Sequence, residues 1–208
     1  MTESVINIVQ LVITGFCAAV CFVRAIISWK RTWLQLGLFY SVFFFGDLYW
    51  QLYLTFYGET PPYSFIPYLC WYSADLFLLM LVVTHCPCDW KKHAEILWLI
   101  PVFTAAMCVY YMTFGDYISN LIAAFLMSCL LWRSIGGLAY LHKKPPGEKS
   151  ARLLLVFVVL FCVMEYAAWT ASCFFEGDTL KNPYYWFDIL QTAVLFLFLP
   201  AQRKAVRG

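Results

Sequence analysis

The chain has 208 residues, 63% hydrophobic, 20% aromatic and only 12% charged, with a net charge of +2. A soluble domain carries about 25% charged residues, so a water-exposed globular fold is excluded, and so small a positive surplus gives no basis for a nucleic-acid partner. Apolar stretches long enough to cross a bilayer recur along the whole chain, which implies a polytopic membrane protein with the lipid bilayer as its first partner.

Seven spans are predicted from hydropathy and helix breakers. The first, near 5–28, follows Met1-Thr2-Glu3-Ser4, which lacks the basic start of a signal peptide. The second, near 34–57, holds Phe43-Phe44-Phe45-Gly46-Asp47-Leu48-Tyr49-Trp50-Gln51-Leu52, a carboxylate inside an apolar and aromatic segment. The third, near 64–85, carries Trp71, Tyr72 and Asp75 and runs into His85-Cys86-Pro87-Cys88-Asp89. The fourth and fifth run near 95–114 and 117–141, with Glu95 at the very start of the fourth and no acidic residue deeper in either. Glu165 and Trp169 lie in the sixth, near 151–175. The seventh, near 182–200, opens on Asn182-Pro183-Tyr184-Tyr185 and contains Asp188, Gln191 and Thr192. Pro67, Pro101 and Pro183 fall at helix starts, where a missing N–H costs little, and Pro200 is expected to close the last span. The predicted fold is therefore an all-α membrane protein, one domain over 1–208, built as a seven-transmembrane-helix bundle.

Lys and Arg set the orientation. Arg24, Lys30 and Arg31 follow span 1, Lys91 and Lys92 span 3, Lys143, Lys144, Lys149 and Arg152 span 5, and Arg203, Lys204 and Arg207 span 7. The opposite connections hold only Lys181 beside Glu59, Asp116, Glu176 and Asp178. The N-terminus is thus expected outside and the C-terminus in the cytoplasm, in a plasma membrane (a bacterial inner membrane). Seven of the nine cysteines lie within spans, where thiols act as small apolar groups, so no disulfide framework is expected.

Asp47, Asp75, Glu165 and Asp188 are the acids inside spans. At about 1.5 Å per residue, all four fall roughly 9–17 Å below the outer surface. Carboxylates at that depth face a bundle interior or a wet cavity. Each also has aromatic neighbours three or four residues away, among them Trp50, Trp71, Tyr72, Trp169, Tyr184 and Tyr185, and Gln51, Gln191 and Thr192 extend the same faces. With 20% of the chain aromatic, that adjacency alone carries little weight. Together these thirteen residues predict an outward-facing acidic and aromatic pocket suited to a small, cationic ligand. The bland alternative is that the acids bond neighbouring helices and only fix the bundle.

His85, Cys86, Cys88 and His93 place soft metal ligands at the cytoplasmic end of span 3, although a helix stopped by Pro87 explains the same residues. No cofactor is expected.

The layout of Trp71-Tyr72-Ser73-Ala74-Asp75 and Trp186-Phe187-Asp188 resembles that of microbial rhodopsins, which place carboxylates on those helices. Retinal attachment needs a lysine about one turn after the second acid, and that position is Thr192, so retinal is not expected. Asn182-Pro183-Tyr184-Tyr185 resembles the tyrosine motif of G-protein-coupled receptors but opens its span instead of closing it. Helix number, orientation and the aromatic outer half are similar to the compact seven-span sensor modules that precede bacterial histidine kinases and diguanylate cyclases. That resemblance implies a sensor or receptor-like protein which, with no effector domain before Gly208, signals through a separate cytoplasmic effector. Gly46-Asp47 resembles the Gly-Asp motif of lysoplasmalogenase-like membrane hydrolases. Three functions follow as expectations: a ligand-binding sensor, a cation- or proton-coupled transporter, and a membrane-embedded hydrolase using carboxylates as acid and base.

Overall fold

The computed structural model describes residues 2–61, 65–86, 97–145, 150–177 and 179–207. They form seven helices: α1 (Thr2–Ser28), α2 (Arg31–Tyr57), α3 (Phe65–His85), α4 (Leu99–Met112), α5 (Tyr117–His142), α6 (Arg152–Phe174) and α7 (Pro183–Arg207). Five of them, α1, α3, α5, α6 and α7, are long and apolar enough to cross a membrane, so the chain is a helical membrane protein. Helix α2 is as long as α1, but its tyrosines, tryptophans, glutamines and Asp47 lower its hydropathy. Helix α4 is a shorter apolar helix of 14 residues.

Local chemistry sets several helix ends. Gly58 closes α2 in the left-handed conformation at φ 74°, its N–H returning to the Leu54 carbonyl at 3.0 Å. Asn182 caps α7: its side-chain oxygen accepts the Tyr184 N–H at 3.0 Å, and Pro183 occupies the first helical position, where no N–H is needed. Pro200 does not end this helix, contrary to expectation, because α7 continues to Arg207. One backbone bond is lost there, but the last turns are held by packing. Ala201, Gln202 and Ala205 are buried, Gln202 meets His85 Nε2 at 2.8 Å, and Lys30 Nζ donates to the Val206 carbonyl at 2.8 Å.

Neighbouring helices pack in a closed ring, α1–α2–α3–α5–α6–α7 and back to α1, with α4 against α5. Tyr111 on α4 also reaches α6, pairing its hydroxyl with Thr170 Oγ1 at 2.7 Å. Helices α1, α3, α5 and α7 run one way and α2, α4 and α6 the other. One end of the bundle carries Glu3, Thr60 and Asn182, and the opposite end carries Lys30, Lys143, Lys144, Arg152 and Arg203. Large apolar side chains such as Val12, Ile26, Leu121 and Phe125 point outward, as lipid contact allows.

The dry core fills the half nearer Lys30. Phe39 lies 5.9 Å from Phe43, 5.9 Å from Phe161 and 5.8 Å from Phe198, centroid to centroid, in a cluster drawn from α2, α6 and α7. Beside it Tyr40 donates its hydroxyl to the Leu195 carbonyl at 2.5 Å, joining α2 to α7. Cys17, Cys21, Cys70, Cys108, Cys129, Cys162 and Cys173 are free thiols.

Candidate ligand cavity

Above the phenylalanine cluster the bundle opens into a cavity of about 490 Å³ to which all seven helices contribute. Asp47, Asp75, Glu165 and Asp188 all line it, joined by Glu3 at the mouth, and among the described residues no lysine, arginine or histidine does. Trp50, Trp71, Tyr72, Trp169, Tyr184, Tyr185 and Gln191 line it as well. Gln51 and Thr192 do not. Gln51 lies one turn from Asp47, but its amide donates along α2 to Thr55 Oγ1 at 3.1 Å, a polar partner nearer the helix end. Thr192 sits behind the wall and donates to Gln10 Oε1 at 2.5 Å.

Asp47 is 6% exposed and fully engaged: Oδ1 accepts the Trp71 indole N–H and Oδ2 the Gln10 amide, each at 3.0 Å. Glu165 accepts the Gln191 amide, and Glu3 Oε1 accepts the Trp50 indole at 3.1 Å. Asp75 and Asp188, 6% and 7% exposed, accept no side-chain hydrogen bond among the described residues. The Tyr166 hydroxyl, also at the cavity, is buried without a partner among them.

Aromatic rings form an unbroken band along one side. Trp50 lies 6.0 Å from Trp71, Trp71 5.8 Å from Tyr68, Tyr68 6.2 Å from Trp169, and Trp169 6.2 Å from Tyr111. Tyr72 bonds the Ser119 backbone carbonyl at 3.1 Å, fixing α3 to α5. Gly46 makes the closest approach possible: a Cβ there would stand 2.8 Å from Trp71 Nε1. Trp132 packs edge-on against Trp98 at 5.3 Å and does not line the cavity.

Sequence reading missed what α1 supplies. Glu3, Asn7 and Gln10 all line the cavity, and Gln10 joins Asp47 to Thr192 across three helices. The amides of Asn7 and Gln10, one turn apart in an otherwise apolar run, were the available signal. Tyr68, Tyr111, Asn120 and Tyr166 were likewise not singled out.

Of the metal-ligand candidates, Cys88 and His93 lie outside the described residues. His85 is engaged by Gln202, and Cys86 is buried against the Gly137 backbone at the far end of the bundle. Among the described residues no three His, Cys, Asp or Glu side chains are arranged to hold a metal.

No protein-family model, curated protein or solved structure matches the chain.

Proposed function

We propose that the chain is a seven-span membrane protein, cavity mouth outside and C-terminus cytoplasmic, that binds a small organic cation as a sensor or receptor-like protein. The observation that carries this reading is the lining itself: five carboxyl groups, a band of ring faces and, among the described residues, no cationic side chain. Ionised carboxylates in a low-dielectric recess focus a negative potential that draws cations and repels anions. Each well-placed ring adds about 0.5–2 kcal/mol of cation–π attraction. Orientation is supported by the basic residues, which gather at the end opposite the mouth. A signal would leave through the Lys30 end to a separate cytoplasmic effector.

The test is thermal stabilisation of the purified full chain by a panel of amines, neutral lipids and carboxylates. Amines should stabilise it most, and less as the pH falls, because protonating a carboxyl removes the attracting charge. Preferential stabilisation by carboxylates or neutral lipids would overturn the reading.

One observation favours a transporter as second reading. The Phe39, Phe43, Phe161 and Phe198 cluster separates the cavity from the Lys30 end and has the position of an inner gate. Amine-dependent flux into proteoliposomes would select that reading over a sensor.

A further inference from the structure

Two of the five cavity carboxyls differ from the rest. Asp47, Glu165 and Glu3 each accept a bond from a neighbouring side chain. Asp75 and Asp188 are more than nine-tenths buried, line the cavity and accept none from the described residues. A buried carboxylate with empty acceptor positions is costly unless something supplies donors, and an ammonium group brings three.

Their levels are fixed by the network between them. Asp47 is bonded to Trp71, and Asp75 lies one turn further along α3, away from the mouth. Asp47 is also bonded to Gln10, and Gln10 to Thr192, while Asp188 lies one turn back along α7, towards the mouth. Asp75 is the eleventh residue of α3 and Asp188 the sixth of α7, and both helices start at the mouth end, so Asp75 lies about five residues or roughly 7.5 Å deeper along the bundle. A single compact cation cannot satisfy both.

Resting on the cation reading above, we infer that the ligand is an extended aliphatic diamine or polyamine, with one ammonium group at Asp75 and another at Asp188. The methylene chain between them lies along the band formed by Trp71, Tyr68 and Trp169. The cavity of about 490 Å³ has room for such a chain.

Calorimetric titration of the full chain in lipid nanodiscs tests this, with 1,5-diaminopentane and spermidine set against n-pentylamine and tetraethylammonium. The diamine should bind at least about tenfold more tightly than pentylamine, since the second contact is intramolecular. Asp75→Asn or Asp188→Asn should each remove most of that advantage while pentylamine still binds at the remaining acid. Equal affinity of diamine and pentylamine for the unaltered protein would overturn the two-station ligand and leave the cation site standing. Absence of binding by every amine would overturn both. The comparison of ligands on the unaltered protein stands even where a variant fails to fold.

Discussion

Gln10 donates its side-chain amide to Asp47 Oδ2 at 3.0 Å, so a neutral residue of α1 holds the carboxylate of α2 in place. Its oxygen accepts from Thr192, which extends the link to α7. Gln10→Leu removes both bonds and should cost about 1.5–3 kcal/mol, the range for a hydrogen bond to a charged group. Gln10→Glu should cost more, because it sets a second carboxyl against Asp47. Unfolding in detergent measures both, and an unchanged midpoint for Gln10→Leu would show that the bridge is dispensable.

Two glycines with equally tight surroundings should behave differently. A Cβ at Gly46 meets Trp71 Nε1 at 2.8 Å and one at Gly137 meets Leu155 Cδ1 at 2.8 Å. Overpacking of this kind costs typically 1–3 kcal/mol. Gly46→Ala also pushes the indole away from Asp47, so it should weaken amine binding as well as stability. Gly137→Ala should lower stability alone, since its neighbours Leu155 and Cys86 lie outside the cavity. Equal loss of amine binding in both variants would disconnect the Trp71–Asp47 contact from the site.

The acids were legible because a carboxylate is expensive in a bilayer and so marks an inward face wherever it occurs. Asp47, Asp75, Glu165 and Asp188 could each be placed on a helix, and their spacing from one membrane surface put them roughly 9–17 Å below it. Gln10 was not legible, because an amide in an apolar helix carries no comparable penalty and its value depends on partners 37 and 182 positions away. Gln51 misled for a related reason. Spacing put it beside Asp47, but spacing does not say which of two neighbours an amide chooses. The helix past Pro200 was hidden because its support comes from Lys30, in the link between α1 and α2, and from His85 on α3.

The aromatic floor should separate a polar contribution from a packing one. Tyr40→Phe removes only the hydroxyl that bonds the Leu195 carbonyl and should cost about 0.5–1.5 kcal/mol. Phe161→Ala opens a void between Phe39, Phe43 and Phe198 and should cost about 3–5 kcal/mol. Denaturant or thermal unfolding ranks the two. A larger loss for Tyr40→Phe would mean that the hydroxyl, rather than ring packing, closes this end of the cavity.

The proposed orientation is open to direct measurement. Reporters fused at the C-terminus or inserted near Lys144 should be cytoplasmic, and one near Glu59 should be external, following the bias of basic residues. A membrane-impermeant reagent added to sealed cells should reach only the Glu59 site. Labelling at Lys144 from outside would reverse the topology and, with it, the side from which the cavity fills.

The layer formed by Phe39, Phe43, Phe161 and Phe198 fixes where the membrane voltage falls. In the proposed orientation, water and mobile ions in the cavity keep its interior close to the external potential. The drop is then concentrated across the low-dielectric rings and the packed side chains beneath them. A cation descending to Asp75 crosses little of that drop, so its affinity should barely respond to voltage. A charge carried through the ring layer meets nearly all of it, about 2.3 kcal/mol per elementary charge for each 100 mV. Membrane voltage thus bears on passage through the floor and leaves occupancy of the cavity almost untouched.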